Sequence, residues 1–244
     1  MTWWRVPRDF VLVRGKDAKS FLQGQLSQDI DQLAPGESVM SFLLQPQGKV
    51  DAYLRVTAVG QDGYLLDVDP GFGDDVVTRL ERFKLRTDAE IRRVGGWQVV
   101  ASLDDDGDLV EEILDDIEIE GMAADLVEYE AARIRAGVPA MGREIDSSTI
   151  PASLGVIDHA VSFTKGCYTG QELVARIDSR GGQAPTKLVG VRGNTEPGAT
   201  VEVDGKAVGT ITSAAGGVAL AMVRREVELP SDSSVGRLES LPLR

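Results

Sequence analysis

Two residue types that build most metal and redox centres are nearly missing from this chain: it has one cysteine and one histidine in 244 residues. A lone thiol excludes an internal disulfide, and one Cys with one His excludes a Cys/His zinc site built from a single chain. Long apolar runs are lacking too. No uncharged stretch of about 18 residues is available to cross a bilayer, and the opening MTWWRVPRDF has no apolar run long enough for a secretory signal. Basic residues are outnumbered, 26 Lys and Arg against 39 Asp and Glu, giving a formal net charge of −13. That balance argues against wide contact with nucleic-acid phosphates or anionic membranes. Together these shortages predict a cytoplasmic protein in a reducing compartment, with neither nucleic acid nor membrane among its partners.

What is present is ordinary for a globular protein, 42% hydrophobic and 27% charged residues, in a chain long enough for one large domain and a smaller companion. FVLVRG (10–15) reads as a strand, and Ala18, Phe21, Leu22 and Leu26 then repeat at helical spacing. SVMSFLLQPQGKVDAYLRVTAVGQDGYLLDV alternates apolar runs with Pro-Gln-Gly and Asp-Gly breaks, which predicts an antiparallel meander. Val76, Val77, Leu80 and Phe83 mark a second helix between Asp74 and Leu85. The acidic stretch over 104–120 fails as a calcium loop: counted from Asp104, position six is Leu109 where glycine is needed and position twelve is Asp115 where glutamate is needed. A solvated acidic segment is expected there instead.

DLVEYEAARIRAGVP predicts a helix ending near Ala136, with Gly137 at the left-handed C′ position and Pro139 blocking continuation. SRGGQAPT (179–186) has no periodicity and marks a domain boundary. Beyond it KLVGVRG, ATVEVDGKAVGTIT and GVALAMV are short strands, Asp204-Gly205 being a hairpin signal, and Arg237 to Leu241 is a candidate closing strand. A small β-barrel or sandwich is expected.

The cysteine stands in KGCYTGQEL (165–173). Thr169-Gly170-Gln171-Glu172 fits a capping box, so a short helix is expected to begin there, with Leu173, Val174 and Ile177 on its apolar face. Cys167 would then lie just ahead of a positive helix end and two residues from the Lys165 ammonium. Both features favour a reactive thiolate. The competing reading is a buried cysteine acting as a small hydrophobe. His159, eight residues earlier, has no partner identifiable in the sequence and is expected to be structural or exposed. Trp3 and Trp4 are expected to anchor the terminus.

K-G-C-Y-T-G-Q-E followed by L-V-A-R resembles the signature of the YgfZ family, which includes the mitochondrial Iba57 proteins and is related to the glycine cleavage T-protein, an aminomethyltransferase. The resemblance extends to VRGKDAKSFLQGQLSQDI (13–30), to QPQGKV and to ARIRAGVP, and so covers nearly the whole chain. It implies an α+β fold: a T-protein-like tetrahydrofolate-binding domain of antiparallel sheets and helices over 1–183, then a C-terminal β-barrel over 184–244. The implied role is an accessory one in assembling or repairing iron–sulfur proteins, with iron–sulfur client or assembly proteins and a folate as partners. One cysteine cannot by itself hold a cluster that takes four protein ligands.

In this resemblance Cys167, Lys165 and Asp51 are the candidates for chemistry. Tyr129, Arg133, Arg135, Tyr168, Gln171, Glu172 and Arg176 are the candidates for holding the folate. Two positions depart from the T-protein pattern. The catalytic carboxylate after the Gly-rich turn aligns with Tyr53, or with Ala52, leaving Asp51 as a neighbour that shares a strand face with Tyr53 if alternation is regular. The pterin-binding glutamate of R-x-E-x-G is replaced by Arg135, which cannot accept hydrogen bonds but can pair with a glutamyl carboxylate. Tyr129 either stacks on the pterin or packs in the core, and Arg176 either faces the cleft or complements its helix dipole. The alternative activity is one-carbon transfer, by an aminomethyltransferase or demethylase, with Asp51 as acid and base.

Overall fold

The computed structural model describes residues 3–115, 122–123, 125–179 and 184–243. Strands β1 (Trp3–Val6) and β2 (Asp9–Arg14) lead into α1 (Ala18–Gln25), and the meander follows as β3 (Ser38–Leu44), β4 (Val50–Val59) and β5 (Gly63–Val68). Next come α2 (Gly73–Phe83), β6 (Glu90–Val94), β7 (Trp97–Leu103), β8 (Leu109–Asp115) and β9 (Met122–Ala123). Three helices, α3 (Leu126–Ala136), α4 (Ile157–Ala160) and α5 (Gln171–Ser179), precede the last strands. These are β10 (Thr186–Arg192), β11 (Thr200–Val203), β12 (Lys206–Ala215), β13 (Val218–Arg224), β14 (Ser231–Ser233) and β15 (Gly236–Glu239).

The apolar meander pairs antiparallel into a five-stranded sheet of order β3-β4-β5-β2-β6. Its central strands β4 and β5 are buried along most of their length, and α1, α2 and the segment around Met141 and Ile145 pack into the same core. A second sheet, β8-β7-β1-β9, uses the N-terminal strand in its middle, where Trp4 packs with Val99 and Ala101. The third sheet, β11-β12-β13-β10-β15-β14, curls nearly shut. Ser234 closes it, its N–H reaching the Glu202 carbonyl at 3.0 Å. Asp204 and Gly205 both take positive φ, the geometry that a two-residue hairpin matched to the strand twist requires.

Helix α3 joins the layers. Asp125 caps it by accepting the Val127 N–H at 2.8 Å, and Gly137 ends it at φ 74°, with the Val138 N–H returning to the Arg133 carbonyl. Its Ala131 and Ile134 share an apolar cluster with Leu188, Val218, Leu220 and Leu243 of the barrel. The barrel is thus packed on the larger unit. Residues 180–183, at the expected boundary, lie outside the described residues.

The acidic stretch expected to be solvated is exposed at its start and also supplies a strand, while its residues 116–120 lie outside the described residues. Asp104 to Asp108 are exposed, but they form the turn of a β7–β8 hairpin, the Asp104 carboxylate accepting the N–H groups of Asp106 and Asp108. Residues 109–115 are therefore a strand. Its acidic side chains sit on an edge strand with one face toward water, a position that charge protects from aberrant pairing. No helix among the described residues is long and apolar enough to cross a membrane.

Candidate functional site

A cavity of about 780 Å³ opens where the two N-terminal sheets meet α3. Tyr53 and Arg55 enter from β4, Arg8 from the β1–β2 turn, Trp97 and Glu111 from the β7–β8 hairpin, and Tyr129 from α3. The volume falls within the range of small-molecule sites, about 300–1,000 Å³.

Its polar wall is built on two charges set inside apolar strands. Arg55 and Asp67 are direct cross-strand partners on β4 and β5. Asp67 is fully buried and accepts Arg55 Nε at 2.8 Å, Arg55 Nη2 at 3.2 Å and Arg8 Nε at 2.9 Å. Arg8 also donates from Nη1 to Asp69 at 2.5 Å, and Asp69 accepts the Met141 N–H at 2.7 Å. Burial works against the Arg8 charge, yet Asp67 and Asp69 hold its pKa above the ordinary arginine range. Arg8 and Arg55 each make three guanidinium hydrogen bonds, so two of the five N–H groups on each have no partner among the described residues.

Two phenols complete the wall. Tyr129 donates to Glu111 Oε1 at 2.8 Å, whereas the Tyr53 hydroxyl has no hydrogen-bond partner among the described residues. Burial raises the pKa of both, with Glu111 adding to it at Tyr129. Both remain protonated donors. The cavity therefore offers donors on Arg8, Arg55 and Tyr53, acceptors on Asp69 and Glu111, and an aromatic surface on Tyr53 and Trp97.

The predicted ligand-holding residues divide. Tyr129 reaches the cavity and also packs 6.3 Å from the ring of Trp4, so both of its readings apply. Arg133 also lines the cavity, but all five of its N–H groups are engaged. They go to Glu130 twice, the Val138 carbonyl, Glu144 and Ser213 Oγ. Arg133 ties α3 to the barrel and keeps no donor for a ligand. Arg135 is exposed and faces a surface hollow near Leu103 and Pro242. Two residues along a helix is about 200° of rotation, so Arg135 points away when Arg133 points in. Arg135 thus lies outside the cavity that Tyr129 lines.

Asp51 is also placed elsewhere. Leu43 pairs with Ala52 and Leu44 with Val50, leaving Asp51 as the extra residue of a β-bulge. A bulge resets side-chain alternation, so Asp51 does not share the Tyr53 face. It pairs instead with Arg79 of α2 at 2.9 Å.

The signature packs against α1 rather than on the cavity wall. Helix α5 starts at Gln171, one residue later than a Thr169 cap predicts. Gln171 Oε1 accepts the Tyr168 N–H at 3.2 Å, and the Thr169 hydroxyl turns to Gln25 at 3.5 Å. Gly170, at φ 84°, lies against the QPQGKV turn: a Cβ there would sit 2.5 Å from the Gln45 carbonyl oxygen. Lys165 inserts its ammonium among the carbonyls of Gln23, Leu26 and Gln28 at 2.8–2.9 Å. It supplies the cation that the last turn of α1 lacks, and burial pulls its pKa down to about 8 against Asp29 and Asp31.

Cys167 is exposed. The two features expected to activate it are directed elsewhere: the ammonium is taken up by carbonyls, and the helix begins four residues on, beyond the reach of its dipole. Tyr168 is buried and lies beneath Lys165, its ring 5.4 Å from the ammonium. Glu172 and Arg176 are exposed on α5, and His159 is exposed on α4. None of these residues lines the cavity. Among the described residues no group of three or more His, Cys, Asp or Glu is placed to hold a metal ion.

Residues missed from the sequence are Arg8, Arg55, Asp67, Asp69, Glu111 and Trp97. For Arg55 and Asp67 a signal existed: Asp67 is the lone charge of apolar β5, and Arg55 is the one basic residue of β4, whose other charge is Asp51.

The family model for the CAF17 C-terminal β-barrel domain matches residues 185–238. An iron–sulfur cluster assembly factor IBA57 homolog, mitochondrial, from Mycosarcoma maydis is 27% identical over 304 positions, covering 94% of this chain and 75% of that protein. A tRNA-modifying protein YgfZ from Edwardsiella ictaluri is 26% identical over 228 positions, covering 75% of this chain and 68% of that one. The solved glycine cleavage system aminomethyltransferase T of Bartonella henselae superposes with a TM-score of 0.78 at 18% identity, over 100% of this chain and 86% of that one. By sequence along most of its length, by its closing barrel and by its overall fold, this chain is a relative of the YgfZ and IBA57 proteins on the T-protein architecture.

Proposed function

We propose that the protein is a tetrahydrofolate-binding accessory factor in the assembly or repair of iron–sulfur proteins, with the folate in the cavity of Tyr53, Arg55 and Tyr129. The observation that carries this reading is the cavity's mixed wall. A reduced pterin presents hydrogen-bond donors and acceptors along one flat edge, and the wall offers unused N–H groups on Arg8 and Arg55 and a free Tyr53 hydroxyl beside the Asp69 and Glu111 carboxylates. Tyr53 and Trp97 supply surface for the ring. Tetrahydrofolate bound there brings a one-carbon carrier. The chain's part is to orient it: Asp67 fixes both arginines, and Glu111 fixes Tyr129.

The names of the IBA57 relatives support the iron–sulfur half of the proposal. Iron–sulfur client or assembly proteins are then its partners, and Cys167 is the group placed to meet them, on the ground of its exposure. The transferase alternative loses its acid and base, since Asp51 is paired with Arg79 outside the cavity and Asp67, Asp69 and Glu111 are each tied to an arginine or a phenol.

Calorimetric titration with tetrahydrofolate and its polyglutamates tests the reading. Tyr53→Phe removes a hydroxyl that bonds nothing in the free protein, so it leaves folding intact and weakens folate binding about tenfold. Absence of binding to the unsubstituted protein overturns the ligand assignment. If Cys167→Ala leaves iron–sulfur enzyme activities in cells unchanged, the thiol has no part.

A further inference from the structure

A second cavity, of about 700 Å³, shares no lining residue with the first. It lies between the QPQGKV turn, α2 and the segment from Met141 to Ser147. Residues of the QPQGKV motif therefore frame this cavity, whereas Arg133, Val138 and Pro139 of ARIRAGVP line the first. Its floor is apolar, with Phe72, Phe83, Met141 and Ile145; Asp51 and Arg79 form its partly buried ion pair, and the exposed Asp75, Arg82 and Asp146 also line it.

That pair is held in place from several sides. The β-bulge opposite Leu43 and Leu44 turns Asp51 toward α2. Arg79 donates from Nε to Asp51 Oδ2 at 2.9 Å, from Nη1 to Gln25 Oε1 at 3.2 Å and from Nη2 to the Leu44 carbonyl at 2.8 Å. Its guanidinium plane lies 3.6 Å over the Phe83 ring, and its side chain is only 10% exposed. Two Arg79 N–H groups and Asp51 Oδ1 are left without partners among the described residues. Gln25 Oε1 also accepts from Thr169, so the pair is linked to the signature segment.

We propose that this second cavity binds a neutral, planar lactam, a ring whose edge sets an N–H beside a C=O. The Asp51–Arg79 pair presents the complementary edge: Oδ1 accepts the N–H, and a free guanidinium N–H donates to the carbonyl. The pair carries no net charge, and charges of both signs, Asp75, Asp146 and Arg82, stand at the exposed part of the lining, so neither an anion nor a cation meets a wall of opposite charge alone. The apolar floor takes the body of the ring. Arg79 and Asp51 need not reorganise, because Phe83, Gln25 and Leu44 already fix them.

The bicyclic lactam 2-quinolone is a direct probe, with N-methyl-2-quinolone as the control that keeps shape and carbonyl but lacks the donor. In NMR titrations of the full chain, 2-quinolone should shift the Met141 methyl and Arg79 Nε–H signals, and the N-methyl analogue should bind about tenfold more weakly or worse. Asp51→Ala should produce a similar loss. The analogue comparison on the unsubstituted protein stands even if that variant folds poorly. Equal binding of the two quinolones, shifts confined to Trp97 and Tyr53 of the first cavity, or no shift with either compound overturns the assignment. Tyr53→Phe leaves 2-quinolone binding unchanged, which separates this site from the folate reading.

Discussion

Arg133 has every N–H engaged in a 5% exposed setting, with Glu144 fully buried against it. Removing one member of such a group leaves the other charge buried and unpaired. Arg133→Ala is therefore expected to lower unfolding free energy by about 3 kcal/mol or more in urea titrations, far beyond the effect of an exposed substitution such as Arg135→Ala. Glu130, held by Arg133 and Arg143, sets an acid limit. Burial raises its pKa, but Arg133 and Arg143 outweigh that and hold it below the ordinary 4.5. The unfolded chain then takes up a proton at higher pH than the folded one. Its contribution is complete above 4.5 and is lost as pH falls through the lower folded value. The urea midpoint should decline with acid below that point, and Arg143→Ala should flatten the decline. At this scale the sequence revealed residue types more readily than roles. Asp67 stood out as the lone charge of an apolar strand, but whether Arg133 held a ligand or the barrel depended on Ser213, 80 residues away.

At the scale of elements, three motif segments lock together. The Thr169 N–H bonds the Gly24 carbonyl at 3.0 Å, Lys165 caps α1, and Gly170 lies against the QPQGKV turn. Gly170→Ala would put a Cβ 2.5 Å from the Gln45 carbonyl oxygen and 2.8 Å from Leu44 Cβ, at a φ of 84° that L residues avoid. It is expected to detach the start of α5, seen as faster amide exchange at residues 166–175 and about 2 kcal/mol lower stability. Gly24→Ala, where a Cβ meets nothing within 4 Å, is the matched control. Helices and strands with clear periodicity were legible: α1, α2, α3, the meander and the Asp204-Gly205 hairpin all lie where spacing and turn residues put them. Helix α5 also begins within one residue of its expected cap. The 109–115 strand was not legible, because pairing with β7 overrode an acidic composition.

For the whole molecule, the charge of −13 sets an expectation about partners. Some relatives carry the name tRNA-modifying protein YgfZ, yet an acidic surface gives little return from counterion release on a polyanion. Purified protein should not retard tRNA in gel shifts at about 0.15 M salt. Retardation there would show a basic patch that the overall charge conceals.

Periodicity and turn chemistry located the main helices, the meander and the short closing strands, because a helix or strand is marked by its own apolar stripe and its stops. The motif segments, by their resemblance, pointed to the α+β class, the closing barrel and the YgfZ and IBA57 relatives. Which of them share a site was decided by the tertiary structure alone. One bulge turned Asp51 out of the first cavity and into the second, one helical half-turn separated Arg135 from Arg133, and three carbonyls claimed the ammonium expected beside Cys167. These outcomes depend on strand register, helix phase and competing partners brought in from distant parts of the chain, none of which is written in local spacing.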